Sequence, residues 1–438
     1  IAPSAGIWEP VAKPDALALA RLDRRWRPRY LLLAPHRLGF FLAMLVLLAA
    51  SAWWALVQWD RFSGWIDLPL VLAPSLVHAA VMVFGFMPLF FSGFLFTAGP
   101  KWLQVPPPSP TRMLLPLLLQ TLGWLLWLVG GHLHAGVALV GIALAALGLA
   151  GVALLFGHLL WRSRAEDQVH ARTLGVACGV GGLSLTGVAL GVALDAPLVA
   201  RACVLTGLWG FVVVVFVTVA HRMVPFLTSD ALPLMAPWRP LGVLWLMLGA
   251  AVLEAAAVWV EWDGPLQGSI AAWWMLLRGA LELVVGALLL GLALLWGRQQ
   301  SRKNRQMVML HIGFVWLGLA LLLAGVSQWL GLWQGAPVMG LGALHALTMG
   351  CLASLMLVMV TRISCAHGGR ATQAESIAWP LLWFLQLATL LRIAAAWPGA
   401  ASLGLLALAA SVWLVLMGEW ALRLLPWYGR LRSDGRPG

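Results

Sequence analysis

Hydrophobic residues in this chain form long unbroken runs, with charged residues confined almost entirely to the segments between them. The runs are 38–58, 69–98, 113–131, 134–159, 172–194, 198–220, 240–260, 270–296, 307–330, 337–361, 377–397 and 401–424. A helix that crosses a bilayer needs about 20 apolar residues, whereas a strand of a membrane barrel needs only about ten. The pattern therefore predicts an all-α fold, a polytopic membrane helical bundle of twelve transmembrane helices.

Composition agrees with a membrane protein. Of the 438 residues, 62% are hydrophobic and only 10% are charged, whereas soluble domains carry about 25% charged residues. The predicted organisation has three parts. They are a basic N-terminal segment at 1–37, a transmembrane domain at 38–425 and a basic C-terminal tail at 426–438.

The net charge of +12 is placed asymmetrically. Most Lys and Arg lie before the first run, after the last run, or in the even-numbered loops, as at Arg162, Arg164, Arg302 and Lys303. Positive residues are retained on the cytoplasmic side of a membrane, so both termini are expected to be cytoplasmic. The charge is then explained by topology and by contact with anionic lipid in the bilayer, and no nucleic acid partner is expected.

The positions of the cysteines and tyrosines exclude several kinds of chemistry. The four cysteines form no CxxC or CxxCH motif, which excludes a local thiol redox pair and covalent attachment of c-type haem. Tyrosine occurs only at Tyr30 and Tyr428, and neither lies inside a predicted helix. A mechanism that needs a buried tyrosine as hydrogen donor is therefore not expected.

Two histidines lie inside apolar runs at matched depth. His78 is about ten residues into the second run and His345 about nine into the tenth, and both runs enter from the same side. At a rise of 1.5 Å per residue both imidazoles would lie roughly 15 Å below that surface, as would Arg278. Two imidazoles and an arginine at one level match the needs of haem b and its propionate. The alternative is that each histidine is a hydrogen-bonded packing residue.

A short internal repeat accompanies these histidines. The sequence HAxxM occurs at His78 to Met82 and again at His345 to Met349. On an α-helix this spacing puts each methionine one turn below its histidine, on the same face. There a methionine would pack on a macrocycle or act as a soft ligand.

Further polar groups within the runs are candidates for a second site. Glu254, Arg278 and Glu282 lie in consecutive runs, and they predict a buried ion pair between two helices, a haem-propionate anchor or a proton path. His311 is about five residues into the ninth run, and His221 and His367 lie at the cytoplasmic ends of others.

Segments spread over nearly the whole chain carry a family resemblance. In order they read APHRLGFFLAM, HAAVMVFGF, SGFLFTAGPKW, RMVPFLTSDALP, LHIGFVWLGLALLL, HALTMG and VMVTRISCAHGGR. With their spacing and the twelve runs, the chain resembles the NnrS family, bacterial membrane haem proteins associated with resistance to nitric oxide.

The resemblance implies a bacterial cytoplasmic (inner) membrane protein with one or two haem b groups, and copper has been attributed to the family. It marks His78, His311, His345 and His367 as family histidines and leaves the haem ligands open among them. His221 and His367 are the weaker metal candidates. The family's HxHEM segment is HAAVM here, with Ala80 and Val81 at the second His and Glu positions. This divergence argues against copper at that place.

The function implied is a haem-containing membrane protein that binds or handles nitric oxide or a related diatomic. As an oxidoreductase it would take electrons from quinol or another membrane redox protein. Two alternatives stay open, a cofactor-free secondary transporter and a non-catalytic membrane subunit or assembly factor. A standard haem-copper oxidase or nitric oxide reductase is disfavoured, because the sequence has no adjacent His pair.

Overall fold

Helices account for almost all of the ordered secondary structure. The computed structural model describes residues 25–231, 240–264, 266–299, 305–335, 338–370 and 374–434. Within these ranges there are helices and no strand, and twelve helices are long and apolar enough to cross a membrane. The predicted fold class is thus confirmed. The first 24 residues of the predicted N-terminal segment and the last four of the tail lie outside the described residues.

The twelve helices, α1 to α12, follow the twelve predicted runs one for one. Their bounds are Pro35–Ser63, Pro74–Leu103, Pro110–Leu133, Ala135–Arg162, Val169–Ala193, Pro197–Met223, Leu241–Val260, Gly268–Trp296, Arg305–Gln334, Gly340–His367, Ser376–Ala394 and Ser402–Tyr428. Four of them begin with proline, which has no N–H to leave unsatisfied at a helix start. Helices α2 and α10 begin later than predicted, because Pro74 and Gly340 start them.

Three helices form the centre of the bundle. In α2, α6 and α10, respectively 83%, 67% and 72% of the most apolar window is buried, more than in any other span of the described chain. Each of the three departs from regular α-helix partway along. Helix α6 contains a π-helical segment at Leu208–Val213, and α10 contains one at Ala346–Ala353. Such segments occur frequently at functional sites.

The third departure has a cause in the sequence. Helix α2 is interrupted at Gly85, which separates Pro74–Phe84 from Phe86–Leu103. Pro88 follows three residues later, and a proline cannot donate to the carbonyl four residues before it. The carbonyl of Phe84 therefore loses its helical partner, and the chain bends at the adjacent glycine.

The helix ends form two faces. The basic face carries the start of α1 and the end of α12, where Arg37 donates to the carbonyl of Arg430 at 2.6 Å. The opposite face carries the α3–α4 connection, where Trp53 Nε1 donates to His132 Nε2 at 2.6 Å. The remaining ring nitrogen of His132 is 2.6 Å from the carbonyl oxygen of Pro69. His132 is thereby a structural link between α1, α3 and the α1–α2 loop.

Helices α1 and α2 cross closely at two glycines. A methyl group added to Gly39 would lie 2.8 Å from the backbone of Gly93, and one added to Gly93 would press on Phe40. Small residues permit this kind of close approach in membrane bundles. The crossing holds the start of α1, with His36, against α2.

We expect Gly39→Ala to lower the stability of the protein by about 1–3 kcal/mol, the usual cost of forcing extra atoms into a packed interior. Gly157→Ala is the matched control, since a methyl group there meets nothing within 4 Å. Unfolding of both variants in detergent measures the difference. Equal stability of the two variants would contradict the close crossing.

Candidate functional site

Two of the predicted histidines lie at matched positions near the starts of two central helices. His78 on α2 and His345 on α10 are close enough to interact electrostatically, and Arg392 on α11 acts on both. The imidazole of His78 is stacked flat on the indole of Trp54 in α1, with ring centroids 3.8 Å apart and an angle of 16° between planes. Four helices therefore contribute to one site, the paired-imidazole site, made of Trp54, His78, His345 and Arg392.

The two imidazoles differ in their hydrogen bonds. His345 Nδ1 lies 2.7 Å from the carbonyl oxygen of Leu341, one turn earlier, so Nδ1–H donates and Nε2 carries the lone pair. His78 Nδ1 is buried and has no hydrogen-bond partner among the described residues. A donor bond from Nδ1 to a carbonyl is the usual way in which a metal-binding histidine is oriented.

The site lies nearer to the opposite face than the sequence predicts. His78 is four residues beyond Pro74, and His345 five beyond Gly340, where α2 and α10 begin. The predicted depth assumed that the helices start with the apolar runs. The matched position of the two histidines survives this change, because both helices begin late.

The two methionines of the HAxxM repeat behave differently. Met82 lies in the regular α-helical part of α2, so it follows His78 by one turn as predicted. Met349 lies in the π-helical segment Ala346–Ala353, where bonds run from i to i+5, so the α-helical spacing does not apply. Both side chains are half-buried and pack against the core.

Arg278 is not part of the paired-imidazole site. Its guanidinium contacts three carboxylates, Glu254 at 2.6 Å, Glu261 at 2.6 Å and Glu282 at 2.8 Å. Trp274 Nε1 also donates to Glu261 at 2.6 Å. We call Arg278 with these three glutamates the carboxylate cluster. It corresponds to the predicted ion pair between α7 and α8, with Glu261 as a third acid that lies just beyond the end of α7.

A cavity of about 680 Å³ adjoins the carboxylate cluster. Its wall includes Glu254, Glu261 and Arg278, and side chains of α6, α9 and α10. The α10 wall contains Leu341 and Leu344, neighbours of His345, whereas neither His78 nor His345 lines it. Helix α10 thus carries the paired-imidazole site and a wall of the cavity.

His367 forms a second histidine pair, at the basic face. Its ring centroid is 4.4 Å from that of His36 at the start of α1, and both side chains feel the charges of Arg37 and Arg432. Arg432 is bound by Asp434 at 2.7 Å, and this hydrogen bond raises the pKa of Arg432. The sequence marked His367 alone, since nothing along the chain connects it with His36.

His221 pairs with His170 of α5, with 3.0 Å between Nδ1 and Nε2 respectively. His221 Nε2 lies 3.1 Å from the carbonyl oxygen of Pro240, so both of its ring nitrogens are engaged with protein groups. His311, near the basic face in α9, has no hydrogen bond or ring contact with another described histidine. Neither residue joins the paired-imidazole site.

Two residues of the paired-imidazole site were not predicted. The sequence shows Arg392 as a charge within an apolar run but does not show its neighbours, and Trp54 is one of many tryptophans near the ends of the runs.

Tyr428 corrects the expectation that no tyrosine is buried. It is buried at the end of α12, and its hydroxyl is 2.8 Å from that of Ser364. The last helix extends four residues beyond the predicted run, which brings Tyr428 inside.

The donor set at the paired-imidazole site is compatible with haem. No three His, Cys, Asp or Glu side chains come together to hold a metal ion anywhere in the described part of the chain. Haem needs only one or two axial protein ligands. The orphan nitrogen of His78, the lone pair of His345 and the cation of Arg392 match an iron and a propionate.

Comparison with known proteins bears on the whole chain. A family model described as NnrS protein matches residues 30–432. A comparison with curated proteins finds no significant match. The matched range contains the paired-imidazole site, the carboxylate cluster and both other histidine pairs.

We expect Arg278→Leu to destabilise the protein by about 3–5 kcal/mol, because removing one partner leaves uncompensated buried charge. Arg423→Leu is the control, since Arg423 and Glu419 form an exposed pair on one helix that contributes at most about 1 kcal/mol. Denaturant unfolding in detergent measures both. A similar small loss in each variant would show that the cluster does not stabilise the bundle.

Proposed function

Because the chain belongs to the NnrS family and has two imidazoles at matched positions near the starts of two central helices, we propose that it binds haem b through residues of α2 and α10. We further propose that it binds or handles nitric oxide or a related diatomic there. The observation that carries the proposal is the matched placement of His78, whose buried Nδ1 has no described partner, and His345, whose ring is oriented by the carbonyl of Leu341.

His345 is the better placed of the two to hold the iron. Its Nδ1–H donates to Leu341, which determines the tautomer, orients the ring and raises the basicity of Nε2. It also stands directly before the π-helical segment of α10. His345 is therefore proposed as the main residue that would hold the haem.

His78 is proposed as the second residue that would hold the haem. Its Nδ1 has no hydrogen-bond partner among the described residues, and its ring stacks flat on the indole of Trp54. Without an orienting hydrogen bond, His78 would hold the haem less strongly than His345. When bound, haem would supply an iron that coordinates the gas, and electrons from quinol remain part of the proposal through the family resemblance alone.

Arg392, not Arg278, is proposed as the propionate partner. Arg392 acts electrostatically on both imidazoles. The guanidinium of Arg278 already donates to three carboxylates. Charge-assisted hydrogen bonds from arginine are a common means of anchoring carboxylates such as propionates.

The visible spectrum of the detergent-purified protein, oxidised, reduced with dithionite and then exposed to nitric oxide, tests the proposal. We expect a Soret band with b-type α bands that shifts with the gas. His345→Ala should lose most of the haem, because the oriented ligand is gone. His78→Ala should lose less haem and should bind nitric oxide more readily.

His158→Ala is the matched control, since His158 is exposed on α4, and its spectrum should equal that of the wild type. A size-exclusion profile shows whether each variant is folded. If both His78→Ala and His345→Ala kept the wild-type spectrum, the proposed haem site would be wrong. His36 and His367 would then be the next pair to test.

The cavity beside the carboxylate cluster supports one other candidate function. A buried ion group facing a cavity within a twelve-helix protein is a common arrangement in secondary transporters. In that case the protein purified from haem-sufficient cells would be colourless.

A further inference from the structure

The carboxylate cluster carries more negative charge than its arginine can balance. Three carboxylates surround one guanidinium, so full ionisation would give a net charge of −2, from −3 and +1. Glu254 is 3% exposed and Glu282 is 1% exposed. Uncompensated charge inside a membrane protein is costly, and buried acids with too few cations tend to keep a proton.

The unused oxygen atoms show where a proton fits. Glu254 Oε1 and Glu282 Oε2 are buried and have no hydrogen-bond partner among the described residues. The other oxygen of each bonds to Arg278. The two carboxyl groups are held against the same guanidinium, at 2.6 and 2.8 Å. Ionised carboxylates only accept hydrogen bonds, so a bond between the two requires one proton on the pair.

The cavity connects Glu254, one member of this pair, with the opposite face. Glu254 and Arg278 form part of its wall, which continues past Glu261 to Trp262, beyond the end of α7, and to Pro398 in the α11–α12 loop. The charged groups that face the cavity are Glu254, Glu261, Arg278 and Arg201 of α6. The polar groups that face it from α9 are neutral, among them Gln328, whose buried Oε1 has no described hydrogen-bond partner. A lining of this kind suits ordered water.

We propose that Glu254 and Glu282 share one exchangeable proton, held between Glu254 Oε1 and Glu282 Oε2 and exchanged with solvent through the cavity. The ligand of this site is the proton itself. Arg278 stabilises the one negative charge that remains on the Glu254–Glu282 pair. Glu261 also pairs with Arg278, from the side of the cavity. The site is separate from His78 and His345, which do not line the cavity, and it does not depend on haem.

Infrared spectroscopy of the full-length protein near neutral pH tests this directly. A protonated carboxyl has a carbonyl stretch that an ionised carboxylate lacks. We expect the wild type to show this band and the band to shift when H2O is replaced by D2O. Both Glu254→Gln and Glu282→Gln should lose it completely, because the remaining glutamate would pair with Arg278 as an anion. Glu419→Gln, on the exposed pair with Arg423, should keep it.

The measurement is informative even if the variants fold poorly, because the wild type alone must show the band. Its absence in the wild type would overturn the shared proton and leave a fully ionised ion pair. A band that persists in both variants would place the proton on another acid and would also overturn the proposal. A band that never shifts in D2O would refute exchange through the cavity. Haem loss in His345→Ala would leave all of these outcomes unchanged, so this proposal and the proposed function fail separately.

Discussion

Hydrocarbon offers no hydrogen-bond partner, and this constraint organises the interior of the protein. Every polar side chain that the sequence places within the helices must be satisfied by another part of the chain or left for a ligand. His132 and His221 are satisfied by carbonyls, an indole or another imidazole. His78 Nδ1 and one oxygen each of Glu254 and Glu282 are not. Some polar groups therefore hold helices together, whereas others have no partner in the described chain and are left for a ligand or a proton.

These three unsatisfied groups belong to two places, and α10 contributes to the surroundings of both. One face of α10 carries His345 towards α2 and α11, while Leu341 and Leu344 line the cavity beside the carboxylate cluster. Reduction of a diatomic adds electrons to it, and the uptake of protons is the usual way to balance their negative charge within a membrane. An imidazole site and a proposed proton site that share one helix are a physically coherent combination.

Much of this arrangement could be predicted from the sequence, and the limits have physical causes. The twelve helices follow from unbroken apolar runs, and the matched positions of His78 and His345 follow from similar distances along helices that enter from one side. Arg278 was predicted at the same level, but it lies ten residues beyond the start of α8, and three glutamates bind it in a separate cluster. Contacts between remote segments, such as His36 with His367, leave no periodic trace in a single chain. The late starts of α2 and α10 were not predicted from the sequence either, because proline and glycine within an apolar run do not change its hydropathy.

The π-helical segment of α10 has a consequence for how the chain distributes its chemistry. One additional residue in a helix rotates everything beyond it by about 100° relative to a regular α-helix. His345 precedes Ala346–Ala353 and His367 follows it. The segment therefore sets the angle, around the axis of α10, between His345 and His367. A single-residue deletion there would leave each half of α10 intact and misalign the two ends of the molecule with respect to each other.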